Sequence, residues 1–311
     1  MSEIMAAEEL IIDQLRAALP GAMVRAGESL AKRTTLRAGG RAEVYVEPSS
    51  EDDLARVVQI CREREVPMMV LGRGSNLLIR DGGIRGVVVC LAHPGFCAIA
   101  VYGRQIRCGA GAKLKEVSAR AREAGLAGLE FLEGIPGSVG GALRMNAGAM
   151  GSATFGVATQ VRFMDELGQI HELSAAGMTP GYRDCPLLKN CIALSATFRG
   201  EPAARESIAA RSEEFNQRRW RSQPKEPSAG CIFKNPSSAL SAGQLIDQAG
   251  LKGARVGGAS VSDVHANFIV NDGTASARDI MELIELIQSR VKAARGIDLE
   301  TEVRIVGEDV S

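Results

Sequence analysis

The chain has few aromatic residues. One Trp, three Tyr and eight Phe stand in 311 residues. That is too few for the stacking platforms that carry single-stranded nucleic acid. It also has no charge excess, because 37 Lys and Arg balance 37 Asp and Glu. No net field therefore draws it to a polyanion or an acidic membrane. Three histidines, far apart in the sequence, argue against a His-based metal centre. There is no C-x-x-C; the seven cysteines are odd in number and scattered. Scattered thiols suit a reduced, cytoplasmic protein and not a disulfide framework or a zinc site. No long uncharged apolar run exists to cross a bilayer. The acidic start, "MSEIMAAEELIIDQLRAAL", lacks the basic region of a secretory signal. It reads as an amphipathic helix with Leu10, Ile11, Leu15 and Leu19 near one face.

What remains is a soluble-type composition, 45% hydrophobic, long enough for two or three domains. "AEVYV" (42–46) reads as a strand. In the helix that follows, Ser50 and Asp53 are spaced as a capping box. "PMMVLG" is a second strand, so 42–74 reads as a β-α-β unit. "GVVVCL", "CAIAVYG" and "RQIRCGAG" predict short strands, and "KLKEVSARAREAG" a helix. A hairpin is expected around Glu166, Leu167 and Gly168, and a further strand in "CIALSATFRG". After a polar helix, "EPAARESIAARSEEFNQRRW", come a helix with Ile280, Leu283, Ile284, Ile287 and Val291 at helical spacing and a strand in "LETEVRIVG". Ser276 and Asp279 are spaced as that helix's capping box. Strands cluster and helices cluster, so the order predicts α+β over a doubly wound parallel sheet.

Two glycine-rich segments interrupt this order. "GRGSNLLIRDGG" follows a strand, and "GIPGSVGGALRMNAGAMG" (134–151) has no clear period. Neither fits a dinucleotide fingerprint: "GRGSNLL" carries Leu77 at the third glycine position, and "GAGAKLKE" carries Leu114. No phosphate-binding G-x-x-x-x-G-K-[ST] is present. Glycine still lets backbone N–H groups close on a phosphate. Ser75, Asn76, Ser138 and the amides of Gly137 to Gly141 are candidates to cradle a pyrophosphate. Tight turns between strands would give the same composition.

Eight segments stand in an order that resembles the UDP-N-acetylenolpyruvoylglucosamine reductase family. They are "TTLRAGGRAEVYV", "VLGRGSNLLIRDGG", "GIPGSVGGALRMNAGAMG", "YRDC", "PSAGCIFKNP", "AGQLIDQAGLKG", "HANFIVN" and "ETEVRIVG". The resemblance spans about residues 20–307. It is to the shorter subtype, since no long insertion separates "YRDC" from "PSAGC". It implies a vanillyl-alcohol-oxidase/PCMH-type FAD-binding fold of two α+β subdomains, with a C-terminal substrate domain. The expected segments are an N-terminal helix 1–21, flavin subdomains 22–84 and 85–202, and a substrate domain 203–311. It implies dissociable FAD, with NADPH as electron donor; no ribose-reading motif in the sequence itself selects NADPH. The FAD residues carried over are Gly72, Arg73, Gly74, Ser75, Asn76 and Leu77. With them come Gly134, Ile135, Pro136, Gly137, Ser138, Gly140, Gly141, Ala142, Asn146, Ala147 and Gly148.

The implied reaction reduces an enolpyruvyl ether on a UDP-sugar. A hydride goes to the terminal methylene carbon and a proton to the carbon beside the carboxylate. Charge grows on that carboxylate, so a fixed cation should face it. Arg183 in "YRDC" matches the family arginine, and its planar fork suits a carboxylate. The proton donor is expected at Cys231, where the family usually has serine. A thiol, titrating near 8.5, is a stronger acid than a hydroxyl; a buried filler role is the commoner fate of a cysteine. Glu302 matches the family glutamate. Strand alternation puts Glu300, Glu302 and Arg304 on one face, so only the E-V-R register separates Glu302 from Glu300. A carboxylate beside the substrate's own should be held protonated.

Tyr182 and Asn235 are expected on the substrate, and Lys234 on the face opposite Asn235. Arg218, Arg219 and Lys225 are candidates for the diphosphate, or simply the basic end of a polar helix. His265 reads as structural. Cys185, where the family often has serine, receives no role. No nucleic-acid, membrane or protein partner is implied and a cytoplasmic location is expected; a monomer is compatible with the sequence, which does not itself select an oligomeric state. Two alternatives explain part of the pattern: another FAD-dependent oxidase or dehydrogenase on the same fold, or a non-catalytic binder of flavin or nucleotide-sugar.

Overall fold

A computed structural model describes residues 2–237 and 239–310. Met1 and Ser311, the outer ends of the expected 1–21 and 203–311 segments, lie outside the described residues, as does Ser238. The chain divides into two compact units. One contains Met1–Ala26, Glu43–Arg73 and Gly86–Gln217, and the other Gly27–Ala42, Gly74–Arg85 and Arg218–Ser311. Each has its own apolar core.

In the first unit the N-terminal helix, Ser2–Ala18, buries Ile11, Ile12, Leu15 and, just past its end, Leu19. Leu10, expected on that stripe, is 56% exposed. At 100° per residue it lies 140° from Leu15, while Ile12 completes the face. The helix Glu51–Glu63 starts where Ser50 Oγ accepts the Asp53 N–H. Only half of the expected capping box forms, because the Asp53 carboxylate turns to the Ser49 N–H at 3.0 Å. Leu54, Val57, Val58 and Cys61 line its buried side. Arg162 clamps Glu51 with two bonds of 2.8 and 3.0 Å.

The four-stranded sheet runs in the order Met23–Ser29, Arg41–Glu47, Ile84–Cys90, Met68–Leu71. The expected β-α-β unit therefore joins strands that are not neighbours. Ile84–Cys90 inserts between them and pairs parallel with Met68–Leu71. A run of four Val and Cys side chains at 87–90 is buried throughout, as a central parallel strand requires.

A second, antiparallel sheet has the order Ile170–Ser174, Ala158–Met164, Ile192–Arg199, Gln105–Gly109, Ile99–Tyr102. Its first two strands form the expected hairpin. Asp165 Oδ1 sets the turn by accepting from Leu167 N and Gln169 N, both at 2.9 Å. The helix Leu114–Glu123 packs Leu114, Val117 and Ala121 into the same core. The buried Leu114 and Val117 side chains each contribute about 1.5–3 kcal/mol.

In the second unit an antiparallel sheet of Arg255–Val256, Ala259–Val261 and Ile269–Asn271 packs with two helices, Ala242–Gln248 and Ala277–Arg295. The longer helix carries the complete expected capping box between Ser276 and Asp279. Asp81 adds a second cap, its two oxygens accepting from Ala277 N at 2.9 Å and Arg278 N at 3.0 Å. These carboxylates satisfy orphan donors and favour the positive end of the helix dipole. Gly296, at φ +68°, ends the helix.

"LETEVRIVG" is not one continuous strand. Regular pairing is limited to Arg304–Val306, parallel to Leu77–Ile79. Upstream, Glu302 N and Val303 N both donate to Ile232 O, at 2.7 and 3.3 Å. Two residues opposing one make a bulge, which interrupts the regular pairing, while Leu299 and Val303 stay on the buried face that the alternation expected. Leu299 and Val303 are buried, Glu302 is half-buried and Glu300 is exposed. The segregated strands and helices make the fold α+β.

Candidate active site

In the first unit the two glycine-rich segments meet. A Cβ placed on Gly72 would lie 3.0 Å from Ser138 Oγ and 4.0 Å from Gly141 Cα. Gly72 thus lies against the Ser138 hydroxyl with Gly141 backbone behind it, and a side chain there would block the close approach that a phosphate cradle needs. The amide nest is smaller than the composition suggests. Gly137 N donates to Ile135 O, Val139 N to Ala112 O and Gly140 N to Ala110 O, all at 2.8–2.9 Å. Three of the five amides from Gly137 to Gly141 are thus engaged within the protein, and the buried Ser138 stands among them. Gly134 and Ile135 are half-buried and Pro136 is exposed; Ala142, two positions past Gly140, is buried in the short helix Val139–Arg144.

The same segment reaches Arg183. Gly181 and Asp184 form a tight turn, with Gly181 N to Asp184 O at 2.8 Å. Arg183 sits in it at φ +55°. Its guanidinium lies 5.0 Å from the centre of the Tyr182 ring, which is 61% exposed. A Cβ on Gly148 would stand 3.3 Å from Arg183 Nη1 and 2.5 Å from Ser152 O, so the arginine rests against glycine backbone. Ala147 O anchors the loop by accepting from Thr154 Oγ1 at 2.7 Å. Asp184 is held by Lys189 at 2.9 Å and Arg144 at 3.4 Å, and the Lys189 bond pulls its carboxyl below the ordinary range. Cys185 is buried, and burial raises its thiol pKa.

In the second unit the rest of the first loop, Gly74 to Leu77, joins the other expected catalytic residues. Gly74 takes φ +59°, and a Cβ there would stand 2.6 Å from Arg33 O. Only glycine fits both demands. Ser75 is half-buried beside it. Asn76 Nδ2 donates to Glu302 O at 3.0 Å, and Arg304 N donates to Asn76 O at 3.1 Å. Cys231 follows Gly230, at φ +75°, and is half-buried. Its neighbour Ile232 receives the Glu302 N–H. The expected thiol, the expected carboxyl and a flavin-loop asparagine are therefore linked through backbone.

Sequence reasoning missed two residues that hold this arrangement. Asn267 Oδ1 accepts from Phe233 N at 2.9 Å, and its Nδ2 donates to Phe233 O at 2.8 Å. Thr35 Oγ1 donates to Ser228 O at 2.7 Å. Both stand in quoted motifs, but motif membership does not reveal a bond to backbone 34 or 193 residues away. His265 Nδ1 accepts the Asn267 N–H at 3.1 Å, and burial lowers its pKa.

The remaining expected residues have other partners or face solvent. Asn235 is exposed, with Oδ1 accepting from Ala242 N at 3.1 Å. Lys234 pairs with Glu300. Arg218 and Lys225 are exposed. Arg219 is half-buried, donates to Gln223 Oε1 at 3.2 Å, and has its pKa lowered by burial. Among the described residues no cluster of His, Cys, Asp and Glu could hold a metal, and no helix is long and apolar enough to cross a membrane.

Known proteins place this geometry. Residues 42–174 match the FAD-binding domain family. Residues 223–306 match the C-terminal domain of UDP-N-acetylenolpyruvoylglucosamine reductase. The enzyme of that name from Clostridium botulinum (strain Alaska E43 / Type E3) is 42% identical over 92% of this chain and 94% of its own. The one from Rhodopseudomonas palustris (strain HaA2) is 44% identical over 94% and 95%. The chain belongs to the UDP-N-acetylenolpyruvoylglucosamine reductase family.

A crystal structure of the reductase from Thermus caldophilus superposes with a TM-score of 0.81. It is 37% identical and covers 91% of this chain and 99% of that one. The fold is thus that of the reductase family, an FAD-binding domain with a C-terminal α+β domain, and the chain is an FAD-dependent oxidoreductase. As a reductase-family member the chain carries cysteine at 231.

Proposed function

We propose that this enzyme uses NADPH and FAD to reduce the enolpyruvyl ether of UDP-N-acetylglucosamine-enolpyruvate to UDP-N-acetylmuramate, a step of peptidoglycan precursor synthesis in the cytoplasm. In this reading segments 22–84 and 85–202 bind the flavin and segment 203–311 the UDP-sugar. FAD would rest on Gly72–Leu77 and 134–148. When bound, it would supply the redox chemistry that links NADPH to the substrate's methylene carbon.

The protein's own residues do the rest. Arg183 faces the substrate carboxylate and offsets the charge that grows there as the double bond is lost. Removing a group of that kind typically costs about 10²–10³ in rate. Cys231 Sγ gives its proton to the carbon beside the carboxylate, which completes the two-electron, two-proton reduction. Glu302 hydrogen-bonds the carboxylate or the thiol, and a protonated carboxyl serves both. Tyr182 and Asn235 contact the UDP-sugar, and Arg218, Arg219 and Lys225 supply cations for its diphosphate.

The observation that carries this reading is the double acceptance at Ile232 O. It places the residue after the thiol against the backbone of Glu302, with Asn76 of the flavin loop on that residue's carbonyl. An anaerobic titration tests it. NADPH should bleach the yellow protein, and the enolpyruvyl UDP-sugar should restore the colour where lactate and simple alcohols do not. Cys231→Ala should bleach like the parent and fail to recover, while Cys231→Ser turns over. Full turnover by Cys231→Ala would remove the thiol from the mechanism.

A further inference from the structure

Asn146 is more than a lining residue of the flavin loop. Its Nδ2 donates to Gly181 O at 2.9 Å, and its Oδ1 accepts from Phe155 N at 3.2 Å. It holds this pose from a left-handed backbone, φ +39°, a conformation that asparagine tolerates better than most side chains. Gly181 opens the turn that carries Arg183. Two residues further along the loop, Gly148 lies under the Arg183 guanidinium. Two residues before Asn146, Arg144 pairs with Asp184, which closes the turn.

The segment 144–148 therefore grips the arginine turn at three places: its first carbonyl, its last side chain and the guanidinium itself. Arg183 has a left-handed φ of its own, so an unsupported turn would relax away from this shape. We infer that Asn146 is a positioning residue. It couples the flavin-binding loop to Arg183, so that the cation is set for the substrate carboxylate by the segment that also carries the cofactor. This rests on the role given to Arg183 above.

The test separates the two half-reactions. Asn146→Gly suits the backbone angle and removes both amide bonds. In stopped flow at saturating FAD, NADPH bleaching should slow less than reoxidation does. Reoxidation by the enolpyruvyl UDP-sugar should slow about tenfold to a hundredfold, the scale of a misplacement near 1 Å. The loss should fall on kcat more than on KM, because Arg183 acts on charge that grows in the transition state. In an Arg183→Lys background the same change should add little, since residues acting as a unit are not additive. Without flavin or substrate, hydrogen exchange at the Gly181 amide should speed up in Asn146→Gly.

Asn146→Asp keeps the acceptor for Phe155 N–H but sets a carboxylate oxygen against the Gly181 carbonyl. It should show the same selective loss if Asn146→Gly folds poorly. Equal slowing of bleaching and reoxidation, unchanged reoxidation, or unchanged exchange at Gly181 would each overturn the inference. If Arg183→Ala reoxidises normally, the Arg183 assignment falls and takes the inference with it. If Arg183→Ala is slow and Asn146→Gly is not, only the inference falls.

Discussion

Asn267 offers a direct measurement of what holds the segment after Cys231, the proposed proton donor, in place. Its amide pairs with both backbone groups of Phe233, at 2.9 and 2.8 Å. Both residues are buried, Asn267 to 3% and Phe233 to 1% exposure. Asn267→Ala strips both bonds and leaves a buried N–H and a buried C=O without partners. Each such orphan costs about 1–3 kcal/mol, so the expected loss is about 2–6 kcal/mol. Urea unfolding followed by circular dichroism reads it as a lower midpoint. Reoxidation by the substrate should slow as well, because Cys231 lies two residues from the released backbone.

Asn267→Asp gives a second reading of the same bonds. Its carboxylate still accepts from Phe233 N but repels Phe233 O. Protonation restores the missing donor, so the folded state binds that proton more tightly than the unfolded state does. The variant's deficit relative to the parent should therefore shrink as pH falls towards the carboxyl range. A stability loss below about 1 kcal/mol in Asn267→Ala, or a pH-independent deficit in Asn267→Asp, would refute this account of the clamp.

Three further outcomes are expected. Gly148→Ala places a methyl 2.5 Å from Ser152 O and 3.3 Å from Arg183 Nη1; it should slow reoxidation at least about tenfold and leave bleaching less affected, as half-reaction kinetics would show. Iodoacetamide at pH 8 should spare Cys61 and Cys108, whose burial pushes their pKa values up to about 11 and about 12, and should modify Cys231; peptide mapping with and without substrate checks both the pattern and protection at Cys231. Burial holds the His265 pKa below its ordinary 6.5. The unfolded imidazole therefore protonates first, and stability should fall as pH drops through about 6.5; His265→Gln should flatten that slope in urea unfolding between pH 8 and pH 5.

Periodic and capped elements were legible in the sequence. The helix Ala277–Arg295 announced itself through its apolar spacing and through Ser276 and Asp279, and it folds with that cap and that buried stripe. The hairpin at 158–174 was equally plain. Failures came where another hydrogen-bond partner, near or distant, overrides the local pattern. Period two suggested a strand over 299–307, but Ile232 O captures two successive amides and bends the chain. Ser50 and Asp53 had capping-box spacing, but Ser49 competes for the carboxylate. The glycine amides that composition offered to a phosphate are partly claimed by Ile135, Ala112 and Ala110. Asn146 and Asn267 could be noted only as members of motifs, because their bonds reach backbone 35 and 34 residues away.

The cysteine at 231 becomes understandable once the source of its placement is clear. The neighbouring backbone is held at Ile232 N by Asn267 O, at Ile232 O by Glu302 N and Val303 N, and at Phe233 by the Asn267 amide. The preceding turn is held at Ser228 O by Thr35 and shaped by Gly230 at positive φ. None of these contacts involves the 231 side chain. Exchanging a hydroxyl for a thiol there can change the acid without moving the position from which it acts. The larger sulfur needs room, which the small residues Ser228, Ala229 and Gly230 leave on the preceding side. The acid also becomes intrinsically stronger, since a thiol loses its proton far more readily than an alkyl hydroxyl. It becomes oxidisable too. On the role proposed for Cys231, a position held by its neighbours' backbone bonds can present either atom as donor, and the choice between them sets sensitivity to oxidants.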